Sequence, residues 1–155
     1  LPEYSCMKVS LRATYGIMAA VDLAMHLGTV PVQAKSIARR QAIPARFLEQ
    51  VLHGMKKAGL VSSLRGAQGG YVLSKKPSEL SVVEILEALD GPLFPLSDRT
   101  GRTQLRRLSK PELLLGKVWE QVYRAERGVL EAISVEDLAG QQRVLEQERS
   151  LMYHI

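Results

Sequence analysis

Residues 44–73 read PARFLEQVLHGMKKAGLVSSLRGAQGGYVL, and two periodicities meet inside them. Leu48, Val51, Leu52 and Met55 recur at i, i+3, i+4 and i+7, the spacing of one buried stripe on an α-helix. Pro44 stands where a proline can open a helix, because N–H groups of the first turn have no intrahelical partner. Gly59 supplies the stop after Lys56 and Lys57. Beyond it the period changes. Residues 60–64 and 71–73 are short strand-like runs around Arg65-Gly66-Ala67-Gln68-Gly69-Gly70, whose glycines permit the positive φ of a hairpin turn. The stretch therefore predicts a helix running into a small β-wing, with Ala45, Arg46, Glu49, Gln50 and His53 on the helix's outward face.

Upstream, Ile17, Ala20, Val21, Ala24 and Leu27 predict a first helix over residues 11–27, stopped by Gly28. Residues 33–41 predict a short second helix around Ile37 and Ala38, and Ala42-Ile43 a brief turn. Three helices with a tight turn between the second and third, then a wing, is the order of a winged helix-turn-helix. Downstream, Ser81-Val82-Val83-Glu84 is a capping box opening a fourth helix that Gly91-Pro92 ends. Residues 91–108 lack periodicity and read as a loop. A second box, Ser109-Lys110-Pro111-Glu112, opens a long helix whose Leu115, Val118, Trp119, Val122, Val129 and Ile133 form a stripe. A last helix follows Ser134. The expected fold is thus mainly α with a small β-wing: a winged helix-turn-helix head over 7–92, a loop over 93–108, and a dimerisation helix with a C-terminal helix over 109–155.

A chain of 155 residues with 46% hydrophobic and 24% charged residues has the composition of one globular unit rather than a disordered or fibrous one. The apolar stretch over 17–21 is stopped by Asp22, far short of the roughly 20 residues that span a bilayer. Glu3 and the lack of a basic flank speak against a secretory signal, and a single cysteine cannot form an intramolecular disulfide. A cytoplasmic protein that does not engage membranes is expected. Charge is divided unevenly. Residues 1–80 hold 11 Lys+Arg against 4 Asp+Glu, a balance of +7, and residues 81–155 hold 10 against 12, a balance of −2. A basic head points to a polyanion, with double-stranded DNA the leading candidate, an anionic membrane surface the runner-up, and ordinary solvated lysines the plain alternative. Winged helices also dock proteins, but docking helices usually present an apolar stripe. Arg46 and Gln50, at i and i+4, instead carry donors and acceptors suited to base edges. The glycines over 66–70 precede a strand and lack a following Gly-Lys-Ser/Thr, so they form no phosphate cradle. Nor does a His-Glu-x-x-His pattern occur, and no enzyme is expected.

Phe47-Leu48-Glu49-Gln50, Lys57-Ala58-Gly59-Leu60-Val61 and residues 65–71, with Met7-Lys8-Val9-Ser10 and Tyr15 upstream, closely resemble the Rrf-type bacterial transcription regulators. The resemblance runs from Met7 to about Leu93, and the long helix matches that family's dimerisation helix in position though hardly in sequence. It implies a homodimer bound to a partly palindromic DNA operator. Arg46, Phe47 and Gln50 would then approach bases, and Arg65 would enter the minor groove. Arg12, Thr14 and Tyr15 would lie against the DNA backbone. Tyr15 and Phe47 fit equally well as core residues. Glu49 opposes phosphate and is better suited to discriminating between bases. Pro44 and Arg46 stand where relatives often carry serine at the head of this helix, which separates the operator sequence from theirs.

A second departure concerns the sensor. Cluster-binding members place three cysteines in the loop after the fourth helix, and residues 91–108 here contain none. The soft ligands available are Cys6, His26, His53 and His154, of which His26 is expected in the core and His53 on the surface. No cofactor is expected, the alternative being an Fe-S cluster held by mixed ligands that include Cys6. Arg99, Arg102, Arg106 and Arg107 occupy the loop instead, either for an anionic effector or as a solvated basic segment near DNA. The sequence does not identify the effector.

Overall fold

A computed structural model describes residues 8–28, 30–93 and 109–154. Helix α1 (Leu11–Met25) starts at Ser10, whose hydroxyl accepts from the Ala13 N–H, while the Ser10 N–H and hydroxyl both donate to Asp90. Helix α2 (Ala34–Gln41) ends in Ala42, whose left-handed φ of 52° makes the sharp turn into α3 (Ala45–Lys57). Pro44 is the cap of α3 rather than its first helical residue. Leu48, Val51, Leu52 and Met55 are fully buried, as their spacing predicts, each such side chain contributing about 1.5–3 kcal/mol of burial. The wing pairs β1 (Val61–Leu64) antiparallel with β2 (Gly70–Leu73) in the register Val61↔Leu73 and Leu64↔Gly70.

Two features depart from the sequence reading. Helix α1 stops at Met25, so His26 is its cap and Leu27 is exposed. His26 is therefore not a core residue: 43% of its side chain is open to solvent, because the helix ends before carrying it onto the buried face. The wing also has a third edge, where Val32 and Tyr71 exchange both backbone hydrogen bonds at 3.0 and 2.7 Å. That approach needs a glycine beside it, since a Cβ on Gly70 would lie 2.5 Å from the Val32 carbonyl oxygen.

Helix α4 (Val82–Asp90) closes the head against α1. A Cβ on Gly16 would meet Leu89 Cδ1 at 2.3 Å and Ile85 Cγ2 at 3.2 Å, so glycine sets how closely these helices approach. Helices α5 (Lys110–Ala132) and α6 (Val135–Tyr153) follow. Ser81 bridges Ser134, and the flanking N–H groups of Val82 and Val135 donate to the Ile133 and Leu80 carbonyls at 2.9 and 2.8 Å. Val135 and Ala139 are buried in the same core as α1, α2 and α3. The start of α6 thus packs as part of the head, across the division between 7–92 and 109–155 drawn from the sequence. Its polar pattern hides this because only Val135 and Ala139 are fully buried, with Leu138 half-buried beside them. Helix α5 has no fully buried residue, and Leu115, Val118, Val122 and Val129 are exposed along it, with Trp119 half-buried.

Helices α4, α5 and α6 each begin with a closed capping box, on Glu84, Glu112 and Asp137 respectively. For Glu84, partial burial opposes ionisation. Hydrogen bonds from Lys75 and from the Ser81 N–H outweigh it and hold the carboxyl below its ordinary value. A depressed carboxyl contributes stability above its unfolded value and loses it as pH falls through the folded one. Glu84→Gln should therefore cost about 0.5 kcal/mol at neutral pH, and the difference from the parent should shrink to nothing as pH falls through the depressed folded range. Urea midpoints across that range check it. A difference that persists in acid would assign the loss to packing.

Candidate nucleic-acid interface

The turn at Ala42 sets α3 against the core by its apolar stripe, so the opposite face is open. Ala45, Arg46, Glu49, Gln50 and His53 are all exposed there. Arg46 and Gln50 lie one turn apart and form no hydrogen bond or ion pair with any described residue. An unpaired guanidinium and an amide on one exposed face leave all their donors available to a partner. Tyr15 and Phe47 are half-buried and meet edge to face, ring centroids 5.4 Å apart at 83°, on the margin of the core. The ring pair packs α1 against the first turn of α3. Phe47 thereby sits between the two residues proposed to face bases without sharing their exposure.

At the start of α1, the Thr14 hydroxyl donates to the Ser10 carbonyl at 3.1 Å and remains exposed. Arg12 is exposed too, and its guanidinium lies over Gly54 of α3. A Cβ there would come 2.9 Å from Arg12 Nη2. Gly54 leaves room for the Arg12 guanidinium, a relation between two helices that neither local sequence signals. On the wing, Arg65 is exposed beside Gly66, whose φ of 117° only glycine adopts readily. Lys56 at the end of α3 donates to the Ser63 hydroxyl of β1 at 2.6 Å, tying the helix to the wing. In the sequence Lys56 shows only as a helix-terminal cation.

Among the described residues one charged side chain is buried. Asp22 of α1 is 1% exposed and accepts from Arg40 Nε and Nη2 at 3.0 and 2.6 Å and from Gln41 Nε2 at 3.0 Å. The hydrogen bond to Asp22 raises the Arg40 pKa above its ordinary value, against the opposing cost of burial. The fork holds the end of α2 immediately before the turn that orients α3.

A compact helical head, a tight turn into an exposed polar helix and a three-edged wing define a winged helix-turn-helix protein. The sequence model of one family, described as "Rrf2: Iron-dependent Transcriptional regulator", matches residues 9–141. The chain is 33% identical over 133 residues to the transcriptional regulator CymR of Bacillus subtilis, covering 86% of this chain and 90% of that one. It is 35% identical over 142 residues to the regulator IscR of Photorhabdus laumondii, covering 90% and 84%. Among solved structures, CymR of B. subtilis, called there the global cysteine regulator, superposes with a TM-score of 0.71 at 32% identity over 88% of this chain and 98% of that one. IscR of T. potens gives 0.68 at 36% identity over 88% of each. The chain belongs to the Rrf2 family of transcriptional regulators.

The family's description raises iron. One chain supplies a single thiolate, Cys6, which lies outside the described residues, as do Arg99, Arg102, Arg106 and Arg107. Among the described residues no three His, Cys, Asp or Glu side chains come together as a metal site. That donor set does not fit a family-type cluster ligated by three cysteines of one chain.

Proposed function

We propose that the protein regulates transcription by binding a partly palindromic DNA operator as a homodimer, and that it is cytoplasmic and not an enzyme. The observation that carries this reading is the exposed face of α3, where Arg46 and Gln50 pair with no described residue, on the helix that a winged head inserts in the major groove. In that reading Arg46 and Gln50 address base edges and Arg65 enters the minor groove from the wing. Arg12 and Thr14 contact phosphate, and Tyr15 and Phe47 hold α1 and α3 in register at the DNA surface. No described helix is long and apolar enough to cross a membrane. The dimer is formed along α5 through Leu115, Val118, Trp119, Val122 and Val129.

Selection of bound genomic fragments, followed by titration of the operator, tests the reading. Arg46→Ala should lose roughly 1–3 kcal/mol of discrimination at one base position per half-site. Arg65→Ala should weaken binding most where the minor groove is narrow and A·T-rich, since such grooves attract guanidinium groups. A uniform loss over all sequences in both variants would remove Arg46 from direct readout. No preferred fragment at all would favour a protein-docking role.

We further propose that operator binding does not depend on a cluster of the three-cysteine type. Anaerobic affinity should then be unchanged by iron chelation and by nitric oxide, and Cys6→Ala should bind like the parent. A visible charge-transfer band in the parent that Cys6→Ala loses, with altered binding, would establish a mixed-ligand cluster instead.

A further inference from the structure

Helices α1, α2 and α6 enclose a cleft of about 330 Å³ lined by Asp22, Met25, His26, Arg40, Gln41, Gln142 and Glu146. One wall is the ion pair that fixes α2. The other belongs to α6, which continues the chain from α5. The hydrogen bonds within the cleft determine what it has left to offer. Both Asp22 oxygens are taken by Arg40 and Gln41, and the two charges cancel. His26 Nδ1 lies 2.8 Å from the Asp22 main-chain oxygen, which can only accept. Nδ1 therefore carries a proton and donates. Gln41 and Gln142 each spend one of two amide N–H groups, on Asp22 and on Glu146, and each keeps a carbonyl oxygen as an acceptor. Glu146 accepts that one bond and forms no ion pair with any described residue. Besides the remaining N–H groups of Arg40, the cleft thus offers acceptors and one negative charge that no described cation pairs with.

We infer that this cleft binds a small molecule bearing a primary ammonium group, held by Glu146 with the Gln41 and Gln142 carbonyls around it, and that its occupancy couples α6 to the helix-turn-helix. An ammonium supplies a positive charge for Glu146 and donors for the two carbonyls, and leaves the Arg40–Asp22 pair intact. An inorganic anion would meet the Glu146 charge, and a metal ion at Asp22 would have to compete with Arg40. Bound there, the ligand bridges α6 to the end of α2, one residue before the Ala42 turn. It can therefore favour one placement of α3 relative to α5 over another by the difference in its affinity for the two. The coupling rests on the operator reading above, whereas the binding does not.

Methylammonium, ethanolamine and putrescine chlorides, titrated into the ¹⁵N-labelled full chain at fixed ionic strength, test it. Saturable shifts should concentrate at residues 22–26, 40–42 and 142–146, and sodium chloride should not reproduce them. Glu146→Gln, at an exposed position of unchanged shape, should weaken amine binding roughly tenfold, the loss of one charge-assisted hydrogen bond. Saturating amine should then change operator affinity in the parent and leave it unchanged in Glu146→Gln. Absence of saturable shifts at millimolar amine, or equal affinity in the variant, overturns the site. Binding without any change in operator affinity overturns the coupling. Failure of the amine-free protein to bind DNA would instead count against the operator reading and leave the shift experiment to decide the site.

Discussion

Arg40→Met should destabilise the protein by about 3 kcal/mol, because it leaves the Asp22 carboxylate buried with Gln41 as its remaining side-chain donor. Arg40 itself is partly exposed, with 37% of its side chain open, so the cost arises at the acid and not at the base. Asp22→Leu in the same chain should recover most of the loss, since replacing both members of a buried pair by apolar groups is often neutral. Urea unfolding of the four proteins in the cycle measures the coupling directly. If Arg40→Met costs under about 1 kcal/mol, the pair behaves like a surface ion pair, and solvent in the cleft supports Asp22 without it. Operator affinity should fall more in Arg40→Met than the folded fraction explains, because the fork holds the end of α2 from which the α3 turn departs.

This anchor shows where the sequence stopped being informative. Leu48, Val51, Leu52 and Met55 announce α3 because a helix buried on one side repeats its apolar residues within a single segment. The wing glycines and the capping boxes are local in the same sense. Asp22 is not. In the sequence it reads as an interruption of an apolar run, and the partners that make its burial tolerable stand 18 and 19 residues away on another helix. The Val32 edge of the wing is one bridge long, too short for alternation to register. The ring pair of Tyr15 and Phe47 and the seat of Arg12 over Gly54 are likewise contacts between helices. Composition cannot choose between core and surface for such residues. Val135 and Ala139 join the head although their helix reads as polar, because packing there needs only one turn. What the sequence showed of the interface was therefore which residues were free of the core stripe. The structure adds which side chains hold those residues in place.

The largest expected effect on function comes from α5 rather than from α3. Val118 and Val122 are one turn apart on the stripe, 45% and 43% exposed within a single chain, and a contiguous apolar strip of this kind calls for a partner. A second copy is the partner that satisfies two half-sites, because a two-fold interface makes the same patch serve both protomers. Val118→Glu with Val122→Glu places two carboxylates on that patch and, in a dimer, four across the seam. The variant should sediment at half the parent's mass, with its thermal unfolding changed only through the lost association. Operator binding should fall by roughly 10²-fold or more, since two linked heads exceed one head by about 10²–10⁴ in avidity. Binding to a single half-site should stay near the parent's intrinsic value, because neither substitution touches α3 or the wing. A parent that already sediments as a monomer at micromolar concentration would remove both the dimer and the two-half-site operator. A variant that stays dimeric would move the interface to the other exposed apolar row, Leu145, Leu151 and Met152 on α6, where the same pair of measurements applies.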